Sequence, residues 1–553
     1  MDWNENPEIT VEKVIVPLIE ESDLKSRQDT FLTLSNSEKV DFVYESVRNL
    51  DRFNRIISVP TVTKSNEYSC IFRNKGNELY NAKKYLEAFE MYVKSLLFAE
   101  TDSECMGLAY NNRSAVLYVN NYYSECLKDI DLALGNPIPH KTMEKLLVRK
   151  QKAIECNRLQ RKLTYYYPVP CVKKVNRKIP CASASVEIKQ SEKYGRHVVA
   201  VENIKVGHVI SVEDSFVNMI HMESKYLHCH HCLELCYNLI PCDKCTNTLY
   251  CGEECLKKAQ SGDHKFECSS LPILQFPGIL FTRMTTRGLD ELQNKAEVET
   301  DNVFRSDSFK VALDLETNES KRDFLNLAIS AVMACIAYHS LRSNPEFRST
   351  YDVDPQILKS YLYKTYMVSA FNPFDIKKVR YQPQSINVKK VGTAIYNFAS
   401  VLNHSCVPNV ELFFHGTLLV TRALANISKG EQCCINYGTS FSVSDYNSRQ
   451  KFLRMMYYFD CDCRACSNQW PVYSDLRFGK HFPASFSRKL QMNTYDQSDE
   501  NRRLLREILT DALRLVKVLE GFQPCKNFLK IQSVITDIYS WDCNADLVFE
   551  TPL

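Results

Sequence analysis

Eight thiol and imidazole groups with metal-ligand spacing fall between Cys229 and Cys268. They come as pairs: Cys229-x2-Cys232, Cys242-x2-Cys245, Cys251-x3-Cys255 and His264-x3-Cys268. Two or three intervening residues let both donors of a pair reach one tetrahedral ion, so four pairs supply two closed zinc sites. Such sites contribute folding free energy, because the metal binds only the assembled thiolates. Disulfides or buried free thiols are the competing reading, and the paired spacing stands against it. Cys236 lies outside the pattern and is read as a bystander. A later cluster, Cys461-x-Cys463-x2-Cys466, offers three thiolates and needs a fourth ligand from elsewhere.

Two more segments concentrate polar groups. SVLNHSCVPNV (400–410) places Asn403, His404, Ser405 and Cys406 between an apolar strand and a turn closed by Pro408 and Asn409. KGEQCCINYG (429–438) ends on Tyr437-Gly438. Polar clusters of this kind can simply satisfy buried backbone groups. That reading weakens once both segments are set beside the cysteines of YYFDCDCRAC (457–466).

The elements that must position these residues change character along the chain. Residues 1–66 are polar, and the amphipathic stretch Ser37–Leu50 is read as a surface helix. Residues 67–163 repeat a helical pattern: Tyr85, Ala88, Tyr92 and Ser95 recur at helical spacing, with Gly76 letting two helices approach. A second copy 38 residues later carries Ser114, Tyr123, Cys126, Ile130 and Ala133, and a third helix follows. This resembles a short tetratricopeptide array with a capping helix. After the proline-containing stretch 164–180, alternating residues over 180–228 predict short strands with Gly207 at a turn. The cysteine-rich segment 229–268 interrupts them, 269–370 is mostly helical, and strands return over 371–440. The last cysteine cluster occupies 441–470, and a helical tail fills 471–553. The expected fold is therefore α+β and multidomain.

Composition narrows the class. The chain has 553 residues, 44% hydrophobic, with a net charge of +3, which argues neither for nor against nucleic acid. Lys244, Lys257, Lys258 and Lys265 make the cysteine-rich segment basic, but a solvated face accounts for them. No continuous run of about 18 apolar residues is visible, and MDWNENPEIT lacks a basic region followed by an apolar one. The expectation is a chain neither secreted nor membrane-spanning, and monomeric. Its 23 cysteines then point to a reducing compartment, cytoplasm and nucleus alike.

The string 229–268, including Tyr250-Cys251, resembles the MYND zinc finger. In that family the pairs interleave, which implies Cys229, Cys232, Cys251 and Cys255 around one ion and Cys242, Cys245, His264 and Cys268 around another. The segments 400–410, 429–438 and 457–466 resemble the SET domain of protein lysine methyltransferases. Together they resemble the SET-and-MYND-domain family over residues 67–470, in the branch with N-terminal tetratricopeptide repeats. The resemblance implies an S-adenosylmethionine-dependent protein-lysine N-methyltransferase acting on histone or non-histone proteins, with a role in transcriptional regulation. It implies cofactor contacts from Gly195, Arg196, Asn372, Asn403 and His404, with Phe459 stacked on the adenine. Tyr437 would stand near the transferred methyl, and Tyr457 would be the second aromatic of the lysine channel. Cys406 would join Cys461, Cys463 and Cys466 around a third zinc ion. A C-terminal helical domain narrows the cleft in that family, and the short tail here implies a more open one.

Such a site fits its residue types. Methyl transfer from a sulfonium to an amine is an in-line displacement, for which orientation can supply about 7–11 kcal/mol. Lysine must be neutral to attack although its unperturbed pKa is about 10.4, and an apolar channel near a cationic sulfonium favours the neutral amine. No acidic dyad or nucleophilic thiol is needed, so Cys433 and Cys434 are read as packing. Two departures stand out. Tyr194-Gly195-Arg196-His197 replaces the Gly-x-Gly common in the family, so a side chain at His197 would crowd the cofactor wherever that position requires close backbone approach. Gln432 replaces an acidic residue after Glu431, a change of lesser weight.

The contrasting reading is a catalytically weak adaptor, with proline-rich co-repressor peptides at the finger and a chaperone at the repeats. Arg73, Asn77, Asn112, Lys145 and Arg149 resemble the clamp with which co-chaperones hold the acidic C-terminus of heat-shock chaperones. Arg73 and Asn77, like Lys145 and Arg149, are one turn apart and share a face. Ordinary solvated helix charges are the competing reading of this set.

Overall fold

A computed structural model describes residues 11–58, 63–159, 169–268, 278–294, 302–382, 385–492 and 499–544. The stretch 164–180 and the end of the 471–553 tail lie partly outside them. Five helices, Asn66–Asn81, Tyr85–Phe98, Glu104–Val119, Tyr123–Leu134 and His140–Leu159, occupy the repeat region. Ser65 and Ser103 cap the first helix of each pair, their hydroxyls accepting the N–H of Tyr68 and Met106. A Cβ at Gly76 would stand 2.5 Å from the Tyr92 ring, so glycine is what lets the first pair close. The core these helices bury, including Phe89, Tyr92 and Ile130, continues without a break into Leu239, Leu249 and Tyr250 of the cysteine-rich segment.

The N-terminal reading needs correction. Residues 11–57 form four helices, and the third, Asn36–Val47, is not a free surface helix. Val40, Val43 and Val47, at three- and four-residue spacing, are at most 1% exposed and pack with Phe31 and Phe53 against Phe324–Ser343 and Pro355–Phe371. The cause lies in the partner. Phe324–Ser343 is apolar nearly all round, and a helix of that kind must be covered on every side. It is, among the described residues, the one helix long and apolar enough to cross a membrane, with a mean hydropathy of 1.6. No continuous apolar run marked it in the sequence because Asn326, Ser330 and His339 interrupt it.

The strands form several small sheets. One orders Val175–Asn176, Ile179–Ser183, Val209–Asp214, Leu418–Ala423 and Val410–His415. A second places Ser385–Ile395 between Val217–Ile220 and Phe374–Gln382, and Val186–Ser191 pairs with Gly195–Ala200 as a hairpin. A two-residue parallel pairing sets Asn403 opposite Cys434 and His404 opposite Ile435. That crossing brings two polar segments, distant in sequence, side by side. Three tail helices follow, Ala484–Met492, Asp499–Leu519 and Lys526–Asn544, and the last lies across the edge strands Val410–His415 and Phe374–Gln382.

Candidate active site

The parallel crossing at Asn403–His404 fixes the centre of the site. His404 Nδ1 accepts the Tyr437 N–H at 3.0 Å, and its Nε2 lies 3.3 Å from the Cys406 sulfur. Burial pushes this imidazole down to about 4, so it is neutral, accepting through Nδ1 and donating from Nε2 toward the sulfur. Asn403 Nδ2 donates to Tyr194 O and to Gln432 Oε1, both at 3.1 Å. Gln432 therefore has a positional role that the sequence reading ranked too low: its amide oxygen orients Asn403.

The turn that leads into this segment is held from behind. Glu213, 2% exposed, accepts the N–H of Phe398 at 2.9 Å and of Ala399 at 2.8 Å, one on each carboxylate oxygen. Burial pushes its carboxyl up to about 7. No sequence signal beyond a polar residue in a strand marks this contact.

Gly195, Arg196, Asn372, Asn403, His404, Tyr437, Tyr457 and Phe459 all line one cleft of about 1640 Å³. Gly195 adopts φ +61°, and a Cβ built there would meet nothing within 4 Å, so its backbone faces open space that a bound molecule can enter. Arg196 is anchored by its guanidinium on Asp314 O. Asn372 caps the helix Pro355–Phe371 and donates to Glu316 O at 2.8 Å. The crowding expected from His197 does not occur. Its ring is 7% exposed, with Nδ1 2.9 Å from Gly195 O, and it is not among the residues lining the cleft.

Aromatic rings form the inner wall. Tyr437 and Tyr457 have centroids 4.9 Å apart, with Phe371 5.7 Å from Tyr457 and Phe459 6.2 Å from His404. Tyr458, at φ +62°, ends the helix Tyr446–Tyr457 in a left-handed turn between Tyr457 and Phe459. The Tyr437 hydroxyl donates to Leu402 O at 2.7 Å, and Tyr457 donates to Tyr437 O at 3.0 Å. Burial pushes the Tyr437 hydroxyl up, so it stays protonated and keeps its lone pairs for an incoming N–H.

Among the described residues, three groups of four ligands gather, each with donor atoms within 4.8 Å of one another. They are Cys229, Cys232, Cys251 and Cys255; then Cys242, Cys245, His264 and Cys268; then Cys406, Cys461, Cys463 and Cys466. Closed sets of four thiolates, or of three thiolates and one imidazole, suit structural zinc. Cys236 stands apart, its sulfur 4.0 Å from Cys251 O. The third group has supports that sequence reasoning missed. Arg449 is fully buried with Nη2 3.7 Å from the Cys466 sulfur, which offsets thiolate charge. Gln450 donates to Cys461 O at 2.7 Å and accepts the Cys461 N–H at 2.9 Å.

In the repeats, Asn112 Nδ2 donates to Asn77 Oδ1 at 2.7 Å. Arg149 Nη1 reaches Asn111 O and Ser114 Oγ, at 2.9 and 2.7 Å, and burial pushes its guanidinium down. Arg73 lies beside Cys70, and Lys145 stands exposed one turn before Arg149.

Comparison with known proteins places this geometry. The family described as SET domain matches residues 195–438, which contain the crossing and most of the cleft, so this is a SET-domain protein. The chain is 24% identical to the protein-lysine N-methyltransferase SMYD4 of Danio rerio over 513 residues, 76% of this chain and 68% of that protein. It is 24% identical to the SMYD4 of Homo sapiens over 545 residues, 74% of this chain and 68% of the relative. It is 29% identical to the histone-lysine N-methyltransferase SMYD3 of Homo sapiens over 291 residues, 51% and 62% of the two chains. The chain is thus similar, over most of its length, to SMYD-type protein-lysine methyltransferases, with a SET domain at 195–438.

Proposed function

We propose that this chain transfers methyl groups from S-adenosylmethionine to lysine ε-amines of protein substrates. The observation that carries the reading is the single cleft in which Gly195, Asn403 and His404 meet the Tyr437–Tyr457 pair. S-adenosylmethionine supplies a methyl group on a sulfonium. Asn403, oriented by Gln432 and Tyr194, the open backbone at Gly195, and Arg196, Asn372 and Phe459 in the same cleft would hold the cofactor, the Phe459 ring offering a face for its adenine. Tyr437, Tyr457 and Phe371 wall a channel that strips water from the lysine and favours its neutral form. The Tyr437 oxygen accepts one amine N–H and so turns the lone pair toward the methyl.

Titrating the zinc-loaded protein with S-adenosylmethionine and assaying a peptide array tests this. Tyr437→Phe is expected to lower turnover by at least about a hundredfold with cofactor affinity within a few-fold. Asn403→Ala should weaken cofactor binding about tenfold or more, one lost charge-oriented hydrogen bond. Absence of binding at millimolar cofactor leaves only the adaptor reading, and unchanged turnover in Tyr437→Phe removes that residue from the chemistry.

The finer assignments are part of the same proposal: helices 66–159 as tetratricopeptide repeats, and residues 229–268 as a MYND finger open to proline-rich peptides. Arg149, held only by neutral acceptors in its hydrogen bonds, supports an anionic partner at the repeats. An acidic C-terminal peptide of a heat-shock chaperone is expected to bind at micromolar Kd, on the order of −8 kcal/mol. Amidation of its terminal carboxylate, or Arg149→Ala, should remove most of that binding. Equal binding of free and amidated peptides would reject the clamp.

A further inference from the structure

Away from the cleft and the three metal groups, one pair of thiols has a defined geometry. Cys70, on Asn66–Asn81, and Cys105, on Glu104–Val119, hold their sulfurs 3.5 Å apart. A disulfide needs about 2.05 Å, so a closure of about 1.5 Å would join them, within reach of small rotamer changes on two packed helices. Both thiols are half-buried, open to a small solute, and neither belongs to a four-ligand group.

Their surroundings make the two sulfurs unlike. Arg73, one turn along from Cys70, puts Nη2 3.9 Å from the Cys70 sulfur, and its buried Nε has no hydrogen-bond partner. An adjacent guanidinium stabilises a thiolate. Cys105 can donate its S–H to Asn66 O at 3.7 Å, and burial together with Cys70 pushes its thiol up to about 11. Cys70 is thus the sulfur with a guanidinium beside it, and Cys105 the one whose S–H has a carbonyl to face.

We propose that Cys70 and Cys105 are a peroxide-sensitive thiol pair that closes reversibly into a disulfide between the first helices of the two repeats. The Cys70 thiolate attacks a hydroperoxide. An S–O bond forms, the O–O bond breaks, and the departing alkoxide or hydroxide takes up a proton. The Cys105 sulfur then attacks the Cys70 sulfenic acid: the S–S bond forms, the S–O bond breaks, and hydroxide leaves with the Cys105 proton as water. The thiols are oxidised and the peroxide is reduced, with no further reagent. A dithiol reverses the step by exchange.

The test uses the full zinc-loaded chain, titrated with hydrogen peroxide and mapped by non-reducing peptide mass spectrometry with zinc release followed in parallel. The expected result is a Cys70–Cys105 cross-linked peptide at doses below those that release zinc, removed by dithiothreitol. Cys105→Ser should leave Cys70 as a sulfenic acid labelled by dimedone. Arg73→Gln should slow iodoacetamide alkylation of Cys70 by about a few-fold or more, because the neighbouring cation is lost, and Arg73→Lys should restore part of it. Peroxide that leaves both thiols reduced while zinc is released, or that oxidises them separately without a cross-link, overturns the proposal. Alkylation insensitive to both Arg73 variants overturns the role given to the guanidinium.

Discussion

Glu213 shows how a residue without chemistry of its own governs one that has it. Its carboxylate caps the turn at Phe398 and Ala399, four to six residues before Asn403 and His404, and burial lifts it from an ordinary 4.5 to about 7. A carboxyl whose folded-state value is raised contributes its stability fully below the unfolded value. That contribution is lost as pH rises through the folded value. The protein should therefore lose stability between about pH 5 and 7 relative to Glu213→Gln, by at most ~3 kcal/mol. Parallel denaturant melts of both proteins across that window, with zinc present, measure it. Equal slopes would mean that the carboxyl is not buried as described. The variant is also expected to lose turnover, because an amide presents one acceptor where the turn has two donors. Asn403 and Tyr437 were legible in the sequence because their neighbours form recognisable strings. Glu213 and Gln432 were not, since each acts on backbone or side chains brought near only by the strand crossing.

At the scale of elements, the segment 446–467 works as one clasp. The helix Tyr446–Tyr457 carries Arg449 and Gln450 on its buried face, and the four-thiol group sits against them. The same helix ends on Tyr457 and turns at Tyr458 to deliver Phe459, so metal and cleft wall share one element. Elemental analysis of protein purified without chelator is expected to give three zinc ions per chain, and Cys463→Ser two. That variant should also weaken cofactor binding, because the clasp loosens where Phe459 is mounted. Two ions in the unaltered protein would reject the third site. The cysteines announced themselves by spacing. Arg449 and Gln450 look in sequence like any polar pair on an amphipathic helix, and only the folded neighbourhood shows the charge they balance.

The whole molecule is joined by contacts that no local pattern encodes. Residues 11–57 cover the apolar helix Phe324–Ser343, although some three hundred residues separate them in sequence. The helices 66–159 meet the cysteine-rich segment around a buried ion pair of their own, between Glu104–Val119 and Tyr123–Leu134. Arg113 and Asp129 are both 0% exposed and joined by two hydrogen bonds, at 2.7 and 2.8 Å. Arg113 also donates to Leu239 O at 2.9 Å, and Asn238 donates to Asp129 at 2.7 Å. Each polar group at this junction is therefore satisfied across it, and neither side can be removed without stranding the other. Asp129→Ala would leave a buried guanidinium unpaired and take away one of the two acceptors of Asn238 Nδ2, the other being Glu125 O, a cost of about 3–5 kcal/mol. Replacing both charges, Arg113→Met with Asp129→Leu, should restore most of that stability while leaving Asn238 with Glu125 O alone and Leu239 O without the Arg113 donor. Hydrogen exchange over residues 235–242 distinguishes the two variants from a merely weakened repeat. Exchange should rise there in Asp129→Ala, together with faster zinc loss from Cys229, Cys232, Cys251 and Cys255, because residues 238 and 239 seat the cysteine-rich segment on the helices 66–159. If exchange rises only within 104–134 and zinc is retained, the cysteine-rich segment stands without the helices before it, and the two would be independent bodies that merely touch.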